Sequence, residues 1–169
     1  MLGAFVPEAV NSTTTTSAAG ADSVQLFGMG GDDLLFGGAG NDTIDGGEQP
    51  NGAGDRDTVA FYQAESVYVD LGKTSYDDGL KLHYASSNAK YYLGKLNDQD
   101  AYKTDIDRLY NIENVVGTEG KDSISGDTAA NVLSGEGGDD LINGAQGNDT
   151  LFGGGGDNTF VFTGNFGHD

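Results

Sequence analysis

An all-β fold, wound as a coil of short parallel strands, is predicted by three features of the 169-residue sequence. Nonapeptides that open on glycine and carry Asp or Asn sixth and an apolar residue eighth recur in register. Each copy ends in three residues with one inward side chain, a short strand that leaves almost nothing for a conventional core. No segment shows the 3.6-residue apolar period of a helix.

Taken in chain order, residues 1–18 read as a flexible N-terminal linker. The opening "MLGAFVPEAVNSTTTTSAAGA" has neither a basic n-region nor an apolar h-region, so it is not a secretory signal. Residues 19–60 form a first coil block. Ala19 to Phe27 is a degenerate copy that keeps only Leu26 at position eight. Gly28 to Phe36 and Gly37 to Asp45 are in register, with Asp33 and Asp42 sixth and Leu35 and Ile44 eighth. "GGEQPN" from Gly46 is an insertion, after which "GAGDRDTVA" restores the period with Asp57 and Val59.

Residues 61–116 differ in kind. All 8 Tyr lie between Tyr62 and Tyr110, in a stretch with little glycine and most of the basic residues. "SVYVDL" alternates Val67, Val69 and Leu71 against Tyr68 and Asp70, a half-buried strand pattern, and "KLHYA" and "KYYLGKL" read as further strands. This Tyr-rich β segment is expected to continue or cap the coil. Residues 117–169 hold the second block. Nonapeptides run unbroken from Gly117 to Val161, with Asp122, Asn131, Asp140, Asp149 and Asn158 sixth and Ile124, Leu133, Ile142, Leu151 and Phe160 eighth. The flank "FTGNFGHD" stops abruptly, as a piece of a longer protein would.

Charge narrows the function classes. Eight Lys and Arg against 27 Asp and Glu give a net charge of −19, which repels nucleic acid and anionic membranes and opposes a compact state without external counter-charge. No Cys means no disulfide and no thiolate metal site, and suits a chain exported unfolded. No apolar run is long enough to span a membrane.

The chemistry of one copy points to a cation. Glycines turn the backbone tightly and aim several carbonyl oxygens at one point, to which the position-six carboxylate is added. Carbonyls and carboxylates without His or Cys are a hard-oxygen set suited to calcium. Two copies make one turn of the coil, so each copy stacks on the copy two further along, about 4.8 Å away. Stacked carboxylates repel one another until a cation sits between them, so binding free energy is folding free energy.

The pattern GGxGxDxUx resembles the RTX calcium-binding repeat, a parallel β-helix sequence signature. The bridge "DRLYNIENVVGTEGKDSISG" and the ending "NTFVFTGNFGHD" are similar to segments that join or follow repeat blocks in secreted RTX proteins. The resemblance implies a right-handed parallel β-roll, several calcium ions, and export by type I secretion machinery to the extracellular space or bacterial cell surface. It implies that a lower loop gives carbonyls from positions two and four, an upper loop from one and three, and both their position-six groups. One site then joins Thr118, Gly120 and Asp122 to Gly135, Gly137 and Asp140. A second joins Asp127, Ala129 and Asn131 to Gly144, Gln146 and Asp149. A third joins Glu136, Gly138 and Asp140 to Gly153, Gly155 and Asn158. In the first block Met29, Gly31 and Asp33 face the loop of Gly46 and Asp57, interrupted by the insertion. Gly37, Ala39 and Asp42 close a weaker site over Gly20 and Asp22, where Val24 brings no carboxylate. The neutral Asn131 and Asn158 bind less tightly than Asp.

Other chemistries fit worse. "GGAGND" is not followed by a helix, and its acidic surroundings repel phosphate. The carboxylates repeat along one edge instead of forming an isolated catalytic pair. His83 and His168 are lone histidines, and no nucleophile has a positioned base. The expectation is a non-enzymatic, calcium-triggered folding module of a type I-secreted bacterial RTX protein, such as a toxin or adhesin. The alternatives are a calcium-dependent module in which the Tyr-rich zone binds a polysaccharide or host surface, and a repeat domain appended to a secreted enzyme.

Overall fold

The computed structural model describes residues 14–16, 24–38, 42–47, 54–61, 64, 66–72, 83–87 and 105–169; in 14–16, 83–87 and 105–106 only the backbone is described. The strands are β1 Thr14–Thr16, β2 Gln25–Phe27, β3 Leu34–Phe36, β4 Thr43–Asp45, β5 Thr58–Ala60, β6 Val67–Asp70 and β7 His83–Ser87. They continue as β8 Asp105–Tyr110, β9 Asn114–Thr118, β10 Ser123–Ser125, β11 Val132–Glu136, β12 Leu141–Asn143, β13 Thr150–Phe152 and β14 Thr159–Val161. The described residues contain no helix. β1 lies within the segment read as a linker, and "KYYLGKL" lies outside the described residues.

Successive repeats alternate between two sheets. The first has the order β1-β3-β5-β9-β11-β13, and the second β14-β12-β10-β6-β7-β8-β4-β2. Each six-residue turn crosses to the opposite sheet, and the following turn returns, so neighbours within a sheet run parallel. Register is set by the repeat: Ile124 pairs with Ile142, and Ile142 with Phe160. Leu133 lies between Val115 and Leu151. Position eight therefore stacks on position eight, two copies apart.

That stacking is the core. Leu26, Leu35, Ile44, Val59, Leu109, Val115, Ile124, Leu133 and Ile142 are buried, one per strand. Val67, Val69 and Leu71 join them from the alternating segment. Each such side chain contributes about 1.5–3 kcal/mol on burial. At the last strand Phe160 has no further coil above it and is exposed.

From the Tyr-rich segment, β6, β7 and β8 enter the second sheet. In the first sheet β5 is hydrogen-bonded directly to β9, so the stack runs through both blocks without a break. In the second sheet β8, β7 and β6 separate β4 from β10. β8 continues β4 in parallel and β6 lies parallel to β10, while β7 is antiparallel to both of its neighbours. Tyr68 and Tyr110 are half-buried; of the remaining tyrosines no side chain is among the described residues.

Candidate metal centre

The turns between the sheets form two rows of loops along the edges of the coil. One row holds the turns that begin at Gly37, Gly117, Gly135 and Gly153, and the other those that begin at Gly28, Gly46, Gly126 and Gly144. Glycine opens each loop where the position-six side chain folds back. A Cβ on Gly135 would overlap Asp140 Oδ2 and come within 2.8 Å of the Gly153 carbonyl oxygen. A Cβ on Gly28 would overlap the Gly46 carbonyl and lie 2.6 Å from Asp33 Oδ2. An upper carbonyl and the loop's own position-six oxygen thus converge at Gly28, Gly46, Gly117, Gly126 and Gly135.

Position six has a second task. Its Oδ1 accepts the position-six backbone N–H of the loop beneath: Asp122 N–H to Asp140 at 2.9 Å, Asn131 to Asp149 at 2.9 Å and Asp140 to Asn158 at 2.9 Å. In the first block Asp33 N–H donates to Asp57 Oδ1 at 2.9 Å, and Val24 N–H to Asp42 at 2.9 Å. The position-two carbonyls are brought to the loop above as well. Thr118, Asp127 and Glu136 accept the N–H of Gly137, Gln146 and Gly155 at 3.0, 3.0 and 2.7 Å.

The position-six row is buried: Asp33, Asp42, Asp57, Asp122, Asn131, Asp140 and Asp149 all lie at or below 4 % exposure. The inner Oδ2 of Asp57, Asp140 and Asp149 has no hydrogen-bond partner. Burial pushes the Asp57 carboxyl up to about 7, against the Asp33 N–H and helped by the charges of Glu113, Asp55 and Asp33. Burial likewise pushes Asp140 up to about 6, against the Asp122 N–H and with repulsion from Asp122 and Asp139. Asp149 and Asp122 are also raised, mainly by burial. A dication between loops would relieve these groups. No three acidic or His side chains converge on one point among the described residues, so such an ion must draw carbonyls into its shell, as calcium does.

The predicted ligands are not equivalent. Asp140, Asp149, Gly135, Gly144 and Gly138 sit in open loops of this kind, whereas Gly153 opens the loop in which the Asn158 amide donates to the Gly155 carbonyl at 3.4 Å. Met29, Gly31 and Asp33 do lie beneath the loop of Gly46 and Asp57: Gly31 N–H reaches Asp55 Oδ2 at 3.3 Å, and a Cβ on Gly47 would overlap the Met29 carbonyl. Asp122, by contrast, is closed on its own loop. It accepts Thr118 N–H at 2.6 Å and Thr118 Oγ–H at 2.9 Å, as well as Val67 N–H at 2.8 Å. Asn131 similarly accepts Asp127 N–H at 2.9 Å. Gly20, Asp22 and Ala39 lie outside the described residues.

Asp139 stands at position five, beside Asp140. It is exposed, but its Oδ1 accepts Asp157 N–H at 2.8 Å, a bond from position five to position five of the next loop. Three further acids take position-six places that the repeat pattern does not mark. Asp107, 1 % exposed, accepts Asp42 N–H at 2.9 Å. Glu113 accepts Asp57 N–H at 2.8 Å, and Asp169 accepts Asp149 N–H at 3.1 Å. Asp107 with Leu109, and Glu113 with Val115 and Gly117, keep the six–eight spacing that could have revealed them.

The profile of the RTX calcium-binding nonapeptide repeat matches four times, at residues 25–51, 116–151, 125–160 and 137–169. A search of curated proteins found no significant match. Residues 25–51 and 116–169 therefore carry RTX calcium-binding nonapeptide repeats.

Proposed function

We propose that this RTX repeat module is a calcium-triggered folding unit of a protein exported by a type I secretion system, acting outside the cell and without catalysis. Its coil is right-handed, and the Tyr-rich segment is a β insertion between two roll blocks. The observation that carries the reading is the row of buried position-six carboxylates with unpartnered inner oxygens at Asp57, Asp140 and Asp149.

Magnitudes favour it. One aliphatic per strand contributes about 1.5–3 kcal/mol. One ionised carboxylate taken out of water costs several kcal/mol unless it is paired. With a carboxylate in most coils and a net charge of −19, the metal-free stack is opposed by its own acid at neutral pH. Calcium between loops reverses that balance. In the low calcium of a cytosol the chain stays open for passage through a channel, and outside it folds, at the roughly 10⁻⁴ to 10⁻³ M affinities of extracellular calcium modules.

Circular dichroism tests this. In chelator at neutral pH the spectrum is expected to be coil-like, turning to β with calcium and far less with magnesium, whose smaller octahedral shell fits carbonyl-rich loops poorly. A β spectrum unchanged by chelator would refute calcium-triggered folding.

A further inference from the structure

At the junction of the two blocks, loop 46–57 is not followed in its row by a nonapeptide loop. The turn above it is only Asn111, Ile112 and Glu113, between β8 and β9, and lies outside the residues that match the repeat profile. It nevertheless reproduces the arrangement of the repeat loops. A Cβ on Gly46 would overlap both the Asn111 carbonyl oxygen and Asp57 Oδ2, the same pairing of upper carbonyl and lower carboxylate found at Gly28 and Gly135. Asn111 holds the left-handed conformation, φ 50°, and its side-chain amide donates to Asp45 Oδ1 at 2.8 Å, which fixes the direction of that carbonyl.

Glu113 takes the position-six place, with Oε2 accepting the Asp57 N–H at 2.8 Å. Its extra methylene gives a three-residue turn a reach that Asp has in a six-residue loop. Asp57 itself is fully buried, and its Oδ2, aimed at this point, has no hydrogen-bond partner. Two carboxylates and a fixed carbonyl therefore meet here, and the guanidinium of the neighbouring Arg56 is turned away to the Ala130 carbonyl at 2.9 Å.

We propose that Asp57, Glu113 and the Asn111 carbonyl form a calcium site that joins the two blocks, outside the nonapeptide pattern. The proposal rests on the calcium reading of the repeats. An oxygen-only set with two carboxylates selects a hard dication. Bound there, the ion ties the first block to the turn that starts the second, so the blocks fold as one unit instead of independently.

The test is the number of calcium ions bound per full-length chain at saturating calcium, by equilibrium dialysis and elemental analysis. Glu113→Gln keeps an oxygen for the Asp57 N–H but lacks the charge. It is expected to bind one ion fewer than the unaltered chain while remaining β-rich. An unchanged ion count in folded Glu113→Gln overturns the site. If Glu113→Gln does not fold, Asp57→Asn decides, since it keeps an oxygen for the Asp33 N–H: a lower ion count in the folded variant supports the site, and an unchanged count, or failure of both variants to fold at saturating calcium, overturns it. An unaltered chain that binds no calcium would overturn the repeat reading, and this site with it.

Discussion

Loops 117–122 and 126–131, next to the junction, and loops 135–140 and 144–149, one turn of the coil further on, are built on the same nonapeptide but hold themselves differently. In the first pair the position-two side chain closes the turn. Thr118 Oγ accepts Gly120 N–H at 3.0 Å, and Asp127 Oδ1 accepts Ala129 N–H at 2.7 Å. In the second pair position two is left-handed, at Glu136 (φ 71°) and Ala145 (φ 70°), and position four is Gly138 (φ 101°) and Gly147 (φ 130°). The capping oxygen moves back one or two residues, as where Asn143 Oδ1 accepts Ala145 N–H at 3.1 Å. A Thr or Asp at position two thus closes a loop on its own side chains, whereas its absence leaves the position-six Oδ2 open. The junction loops are closed by the protein; the distal loops are left for a cation to close.

The largest expected effect separates Asp140 from Asp122. Asp140→Ala removes an open carboxylate between two loops, at a cost of about 1–3 kcal/mol for a buried partner, or roughly a decade in calcium midpoint. Added calcium should recover most of the β signal. Asp140→Ala strands only the Asp122 N–H, whereas Asp122→Ala strands those of Thr118 and Val67 and loses the Thr118 hydroxyl bond, a larger defect that calcium cannot repair. The melting temperature of Asp122→Ala should stay low at saturating calcium. Equal midpoint shifts with equal recovery would erase the distinction between the loop classes.

Glycine at position four gives the next effect. Gly138 lies over the Gly120 carbonyl at φ 101°, so Gly138→Ala must shift backbone and is expected to cost about 1–3 kcal/mol. In the self-closed loop the same position is already Ala129, and Ala129→Gly should change the calcium midpoint little. Thermal melts in calcium compare the two; a tolerated Gly138→Ala would mean that the distal loops can adopt the junction form.

Acid should act chiefly on the open loops. Asp57 and Asp140 have model-peptide values near 3.8 but lie at about 7 and about 6 in the stack. Between those values the folded chain holds protons that the unfolded chain has lost. Metal-free stability is therefore greatest below about 4 and falls as pH rises through 6 to 7. Calcium must displace the same protons, so its midpoint should rise as pH falls from 8 to 6. Far-UV spectra in chelator at pH 4.5 and 8, with calcium titrations at pH 8 and 6, check both directions. A midpoint independent of pH would show that these carboxylates are not the ligands.

The contrast also marks what the sequence could reveal. The buried line of Leu35, Ile44, Ile124, Leu133 and Ile142, and the position-six groups two residues before each, follow from a nine-residue period, because stacking forces equivalent positions into register. Asp107 and Glu113 escape that reading because only six residues separate them, which breaks the phase although each keeps its aliphatic two residues later. The alternation of Val67 and Val69 identifies a strand but carries no direction, so it could not show that β7 would run antiparallel between β6 and β8. Nor does a profile of glycines distinguish self-closed from open loops. That depends on whether the hydroxyl or carboxylate at position two bonds within its own turn.

The smallest effect is expected at position five, where two opposing contributions nearly cancel. Asp139 Oδ1 accepts Asp157 N–H at 2.8 Å, and Asn148 Oδ1 accepts His168 N–H at 3.1 Å, so an acid and an amide make the same exposed bond on the two edges. Such a bond is worth about 0.5–1.5 kcal/mol before water replaces it at an exposed site. Asp139 also places a charge beside Asp140, whose carboxyl it helps to push up, in a chain already at −19. Near a bound dication the same charge is attractive but screened. Asp139→Asn keeps the acceptor and relieves the repulsion, so metal-free folding should become slightly easier and the calcium midpoint should fall. Asp139→Ala loses both and should leave the midpoint nearly where it was. Asn148→Ala loses the bond with no charge to relieve and should raise the midpoint slightly. That order, Asp139→Asn below Asp139→Ala below Asn148→Ala, isolates hydrogen bond from charge. If Asp139→Asn instead raises the midpoint as much as Asp140→Ala does, Asp139 is a ligand, and position five belongs to the ion-binding shell of the open loops.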